Sequence, residues 1–377
     1  SETGVRGPSI FNQLPCFHVV ENLYVDAMHD FFSGGICTLG FTAILNYCIY
    51  VKKFISLSAF NTQKTMISKT VLDTSLSRMP DLTECFVPQT KSKSIVIRAT
   101  ASELKSFAHY FTFILGPFVP QSDAVWQFCK TLVKITDKIL MPTFNDIELE
   151  ELRQLCSEHH RQYQILFKLH LKPKQHFLCH YKSVILMSGS VSSLMNYRYE
   201  AKHKTFKEYA GVISSRKNIC YTLCMKAALQ FSHDVFHKEF FKDSLEGTFK
   251  PCCLEDKHYA KSLPRPLPFG VDQNMRETTQ IKYKGTVFKT GTYVTITQHL
   301  NVDLLEIIDI LVSGSSVFLV GLRWVVGQFD EHFLAYKIID KTDKYCIYSI
   351  DYIDGPPIKP LCINNRWYFR KKHDFNS

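Results

Sequence analysis

Residues 198–210 read RYEAKHKTFKEYA, with one acid at the head of a run of bases. Glu200, His203, Lys204 and Lys207 follow i, i+3, i+4, i+7 spacing and share one helical face, while Tyr199, Phe206 and Ala210 mark another. Two readings compete here. The stretch is a solvated face with an incidental glutamate, or it is a metal-binding carboxylate beside a polyanion.

The surrounding chain narrows the choice. At 377 residues it exceeds one ordinary core, so two or three domains are expected. Its 45% hydrophobic and 21% charged content excludes a disordered chain. A formal net charge of +10 favours a polyanionic partner. The 13 cysteines are scattered without the spacing of a secreted framework, which points to reduced thiols in a cytosolic or nuclear protein. The opening SETGVRGPS is loop-like, with no charged n-region leading into an apolar h-region, and an upstream part of the protein is expected to be absent. The run FFSGGICTLGFTAILNYCIY (31–50) is just long enough to span a bilayer. Its glycines and polar residues make a buried core helix the preferred reading, and no membrane partner is expected.

Periodicity divides the chain. Loops and a short helix near Asp26 fill the first 30 residues, and a helical pattern runs from 34 to 170. Within it, Ser102 is expected to cap a helix with Leu104, Phe107, Phe111 and Ile114 inward. Ser122 is expected to cap one with Val125, Cys129, Leu132, Ile135 and Ile139 inward. A third helix runs from Asp146 to the KPK break at 172–174, and the Thr/Ser/Lys-rich stretch 58–98 reads as part helix, part exposed loop. Residues 174–245 are again helical, and the proline-rich 247–275 reads as a linker. From 276 to 377 the alternation is that of short strands with Lys284-Gly285 and Thr290-Gly291 turns, which suggests a small closed or half-open β-barrel.

Three motifs could carry chemistry. Asp26-x-x-His29 places a carboxylate and an imidazole one helical turn apart; His176 and His180, at i, i+4, can converge on one metal; Glu200 heads the basic helix. Each alone is more often packing or surface than site. Together, in this order, they resemble a family. GVRGPSIFNQLPCFHVVENLYVDAMHD, KQHFLCHY, NYRYEAKHKTFKEYA and SSRKNICYTLCMKAALQF are similar to successive segments of CACTA (EnSpm-like) DDE transposases, over about residues 4–235. The phrase around Glu200 is the most specific of them.

The resemblance implies an α+β chain: the C-terminal part of an RNase H-like transposase core with a large all-helical insertion, then a small SH3- or BAH-like β-barrel. Residues 1–33 would close the core segment with the D-x-x-H motif, 34–170 would be the insertion, and 171–246 would return core helices with the catalytic glutamate. The implied chemistry is DNA strand cleavage and transfer by two Mg²⁺ or Mn²⁺ ions held by two aspartates and a glutamate. Glu200 would be that glutamate, with His203, Lys204, Lys207, Arg216 and Lys217 facing phosphates. A structural Zn²⁺ is implied between Asp26/His29 and His176/His180, pinning both ends of the insertion. No aspartate precedes Asp26, so at least one metal-binding acid is expected outside the chain, which alone is not expected to cleave DNA; Asp26 is the alternative for the second acid. DNA is the expected partner, with chromatin or a peptide on the C-terminal barrel, a nuclear location, and self-association left open. The rival is a non-enzymatic DNA- or chromatin-binding protein derived from such a transposase.

Overall fold

A computed structural model describes residues 7–371 apart from 19–21, 23, 89–90, 238–244, 269, 272–273 and 299–300. The architecture is α+β. Helices α1 (Ile36–Asn46), α2 (Leu57–Thr70) and α3 (Thr74–Arg78) precede a hairpin, β1 (Thr83–Val87) and β2 (Ser92–Val96). Helices α4 (Ala101–Leu115), α5 (Ala124–Ile139) and α6 (Asp146–Phe167) follow, then the short α7 (Pro173–Phe177) and α8 (Tyr181–Ser188). Helices α9 (Tyr197–Val212) and α10 (Ile219–Phe236) close the helical part.

Local chemistry sets the helix starts. At α4 the Thr100 hydroxyl accepts from the Glu103 amide, and the Glu103 carboxylate accepts from the Thr100 amide at 2.9 Å. This reciprocal cap outcompetes Ser102, which lies inside the helix. At α5 the Asp123 carboxylate takes the Val125 and Trp126 amides, at 2.9 and 3.1 Å, one residue beyond Ser122. One oxygen of that carboxylate, Oδ1, accepts both helix-start amides.

The helical core forms around α1. Phe41 lies 4.3 Å from the Phe111 ring and 5.5 Å from Phe107, and a Cβ on Gly40 would sit 2.6 Å from Leu132 Cδ2, so α1 and α5 are in close contact there. The stretch Met28–Val51 is long and apolar enough to cross a bilayer; here Ile36, Cys37, Phe41, Ile44 and Leu45 are fully buried in this core. The β1–β2 hairpin, read from sequence as exposed loop, is clipped to the end of α1 by Asn46, whose side chain bonds the Ile95 amide at 2.7 Å and Ser94 Oγ at 3.0 Å.

The remaining strands form two antiparallel sheets. They are β3 (Leu245–Gly247), β4 (Lys250–Cys253), β5 (Asn274–Thr278), β6 (Gln280–Tyr283), β7 (Thr286–Lys289), β8 (Tyr293–Gln298), β9 (Asn301–Ser313), β10 (Ser316–Asp330), β11 (Ala335–Ser349), β12 (Leu361–Ile363) and β13 (Arg366–Phe369). One sheet runs β12-β13-β11-β10-β9-β5-β4, with β8 also on β9; the other is β3-β6-β7. Ile281 and Phe288 of the small sheet pack on Val294, Ile307, Val317 and Leu319 of the large one.

Of the closed or half-open barrel expected, the closed form does not occur: among the described residues no pairing joins β12 to β4, and the large sheet is open. Its central strands of 13 to 15 residues carry register shifts between β10 and β11, at Leu322/Trp324 and beyond, which bend the strands and increase their local twist. The 247–275 stretch read as a linker carries β4 and the start of β5, and it buries Leu254, Tyr259, Leu263 and Met275 against Leu311 and Phe318.

The far end of the large sheet completes the helical core. Phe333, Leu334, Ala335, Leu361, Ile363 and Tyr368 belong to the same apolar cluster as Phe113 and Trp126. Thr112 Oγ1 donates to the Phe333 carbonyl at 2.7 Å. Trp126 Nε1 donates to His332 Nδ1 at 2.9 Å, so the other ring nitrogen, 2.9 Å from the Gly116 carbonyl, carries the proton: His332 is the Nε2–H tautomer. Arg370, 3% exposed, donates to the His109 carbonyl and to Asp137 Oδ2, both at 2.5 Å.

Candidate functional site

The segment before α1 and the start of α9 meet, although about 170 residues separate them in sequence. Asp26 organises the junction. Its Oδ1 accepts the Met28 amide at 3.0 Å and the Asn196 amide at 3.3 Å, and its Oδ2 lies 2.5 Å from His29 Nδ1. The Tyr24 hydroxyl donates to the Leu194 carbonyl and stands 3.3 Å from Asn196 Oδ1. Burial, then the charge of Asp26, pushes the Tyr24 phenol up to about 12.

His29 then reaches Glu200: its Nε2 is 3.2 Å from Glu200 Oε1. An imidazole with a carboxylate at each nitrogen donates from both only as the imidazolium. The three side chains therefore form a relay from the mostly buried Asp26 (10% exposed) through His29 to the half-exposed Glu200. The outer Glu200 oxygen faces solvent beside the basic side of α9. Asp30 stands behind the relay: its Oδ2 accepts the Asp26 amide at 3.2 Å, and burial raises its carboxyl above the ordinary carboxylate value.

The two histidines of the KQHFLCHY run are also neighbours, with Nε2 atoms 3.1 Å apart and rings 4.9 Å apart at 78°. Two ligands of one tetrahedral Zn²⁺ at bond lengths of about 2.0–2.1 Å would stand about 3.3 Å apart, so this half fits a metal. The other half does not. Both His29 nitrogens are already turned to carboxylates, and Asp26 spends its oxygens on two amides and that ring. Among the described residues no group of three or more His, Cys, Asp or Glu side chains is placed to hold a metal. The halves are joined instead by Lys174 of α7, whose ammonium donates to the carbonyls of His29 at 2.8 Å and Ser33 at 3.0 Å.

The expected phosphate-facing residues lie on the surface. His203, Lys204 and Lys207 on α9, and Arg216 and Lys217 in the turn after it, are all exposed. Among the described residues Lys204 has only the loose, solvated i, i+4 pair with Glu208 at 3.8 Å, which competes weakly with an anion. Tyr24, Asp30, Lys174 and Asn196 join the junction without having been singled out from sequence. Their partners are remote, and no periodicity marks them. In the C-terminal part, Trp324 lines a groove with Arg323, Tyr336 and Lys344, and His258 Nε2 stands 3.2 Å from the Tyr345 hydroxyl.

No family model matches the chain, and no curated protein or solved structure matches it.

Proposed function

We propose that this protein binds duplex DNA through α9 and the turn that follows, as part of the catalytic layer of a CACTA-like DDE transposase or of a nuclear protein derived from one. The observation that carries the reading is the His29–Glu200 contact, which joins two separately recognised motifs at the edge of an exposed basic face. Lys204, Lys207, Arg216 and Lys217 would neutralise phosphates, and Glu200 would be the acid nearest the scissile backbone. An RNase H-like layer, and a chromatin- or peptide-binding role for the C-terminal sheets, are the finer parts of the same proposal.

Mg²⁺ or Mn²⁺, if bound, would supply a Lewis acid and an activated water. Glu200 alone does not make a two-metal site. What this chain's own residues do is narrower: His29 fixes one Glu200 oxygen and leaves the other free, and Asp26 holds His29 in place. The non-enzymatic rival keeps the same DNA contacts and needs no ion.

Fluorescence anisotropy with an arbitrary duplex tests the reading. Four phosphate contacts give a log–log salt slope of about −3.6, and removing two of them lowers its magnitude by about 1.8. Lys204→Glu with Lys207→Glu is expected to weaken binding and flatten the slope in this way; binding indifferent to both changes refutes the interface. Glu200→Gln is expected to leave affinity within about twofold, since it touches no phosphate-neutralising cation. With an upstream segment supplying two aspartates restored, metal-dependent nicking that this change abolishes favours the transposase branch. Nicking that survives it removes Glu200 from the chemistry.

A further inference from the structure

The excess charge of this chain is not spread along it. Residues 159–233 hold 12 of the 45 Lys and Arg and 2 of the 35 Asp and Glu, which leaves 33 of each elsewhere. The net +10 of the whole protein therefore belongs to this one segment. From His159 to Tyr199 no carboxylate side chain occurs at all. Like charges gathered this way repel one another in a compact fold, and partners within the protein or a polyanion outside it relieve that cost.

Some of these cations are answered inside the protein. Arg161 pairs with Glu158 at 2.6 Å and Lys182 with Glu150 at 2.8 Å. The Lys174 ammonium is taken by the carbonyls of His29 and Ser33, and that of Lys226 lies over the Tyr209 ring at 5.2 Å. Lys168 and Lys172 differ. Both are exposed in the turn between α6 and α7, with the exposed His170 between them, and neither has a carboxylate partner among the described residues. Lys168 forms the left-handed cap of α6 at φ +53°, where a cation complements the carbonyl end of the helix. Lys172 stands at the start of α7, where a cation gains nothing from the helix. Helix electrostatics therefore does not account for the pair.

The turn adjoins the start of α9. Lys174, two residues beyond Lys172, is bonded to the His29 carbonyl at 2.8 Å, and the ring of the same His29 reaches Glu200 at 3.2 Å. Helices α7 and α9 thus both begin against the one helical turn Met28–Phe32. We infer that the turn 168–172 is a second phosphate-binding strip for the duplex that α9 binds, with Lys168 and Lys172 each neutralising one phosphate across the junction from Lys204 and Lys207. The inference rests on the DNA reading of α9. Duplex DNA suits the pattern because its charge is continuous, one per about 1.7 Å of axis, and answers two separated groups of cations at once. Contacts of this kind add affinity and register without base preference.

Anisotropy of the full chain with an arbitrary duplex, read across about 50–200 mM salt, tests the inference. Four contacts on the α9 side give a log–log slope of about −3.6, and two more carry it to about −5.4. Lys168→Gln with Lys172→Gln is expected to return the slope to about −3.6 and to weaken binding at least about tenfold across that range. Lys168→Arg with Lys172→Arg is expected to keep the full slope, since it keeps the charge. Both positions are exposed, and circular dichroism and the urea midpoint are expected to be unchanged in either pair. An unchanged slope in the Gln pair, beside a slope flattened by Lys204→Glu with Lys207→Glu, overturns the inference and leaves the α9 reading standing. A chain that does not bind duplex, or binds it without regard to Lys204 and Lys207, overturns both. If the Gln pair loses binding only to phosphatidylserine vesicles, the strip belongs to a membrane surface and the inference is overturned as well.

Discussion

Arg370 is the sharpest test of how the C-terminal strands and the helical core are joined. Its guanidinium is almost fully buried and holds two acceptors on separate helices, the His109 carbonyl of α4 and Asp137 of α5. Arg370→Met keeps most of the length and apolar stem but removes both donors. The His109 carbonyl, inside α4, loses its charged donor, and a hydrogen bond to a charged group contributes about 1.5–3 kcal/mol. Asp137 is 35% exposed and recovers water, so the loss stays at the lower end of the about 3–5 kcal/mol typical of a broken buried pair. A destabilisation of about 3 kcal/mol is therefore expected. Urea unfolding followed by Trp126 fluorescence reads it directly, because Trp126 bonds His332 at the same junction. The double variant with Asp137→Asn should be less unstable than the sum of the single ones, by about 1–2 kcal/mol of coupling. A loss below about 1 kcal/mol, or strict additivity, would refute the argument that this ion pair closes the junction.

Two further expectations rest on the core. His159 is fully buried beside Phe128 and Tyr163, neither ring nitrogen has a hydrogen-bond partner among the described residues, and burial lowers its pKa to about 3. The unfolded chain binds this proton near pH 6.5 and the native one does not, so stability falls as pH drops from about 6.5 to about 3, by about 1.4 kcal/mol per pH unit. His159→Leu should remove that slope and gain about 1–2 kcal/mol at pH 7, seen in urea midpoints across pH; an unchanged acid slope refutes the assignment. Gly40→Val should cost about 1–3 kcal/mol by overpacking, since its Cβ would meet the buried Leu132 at 2.6 Å; a neutral melting shift would show that α1 and α5 separate more easily than their contact suggests.

Sequence periodicity located the amphipathic helices because each buries a face that repeats every three to four residues. Leu104, Phe107 and Phe111 are inward on α4, and Val125, Cys129, Leu132 and Ile139 are inward on α5. It placed both caps wrongly, since Thr100 and Asp123 win by two-way or two-amide hydrogen bonding that composition alone does not rank. The β1–β2 hairpin was hidden because its outer face is polar and its anchor, Asn46, is a single side chain in another element. The C-terminal strands were legible as strands but not as an open sheet. Closure depends on strand length and bulges, and the docking of Phe333 and Tyr368 on α4 leaves no periodic trace. Of the site, the residue types were visible. Their juxtaposition was visible only through resemblance, and the occupation of both His29 nitrogens was not visible at all.

The splice between helical layer and late strands imposes an order on synthesis. Arg370 meets His109 across 261 residues, and Phe333 meets Thr112 across 221. At about 5–20 residues per second, 261 residues take a ribosome about 13–50 s. During that interval Phe113 and Trp126 stand bare on a nascent layer whose covering has not yet been made. The helical part therefore waits on translation, open to chaperones and to misassociation, and a slow codon run between residues 246 and 330 would lengthen its most vulnerable period.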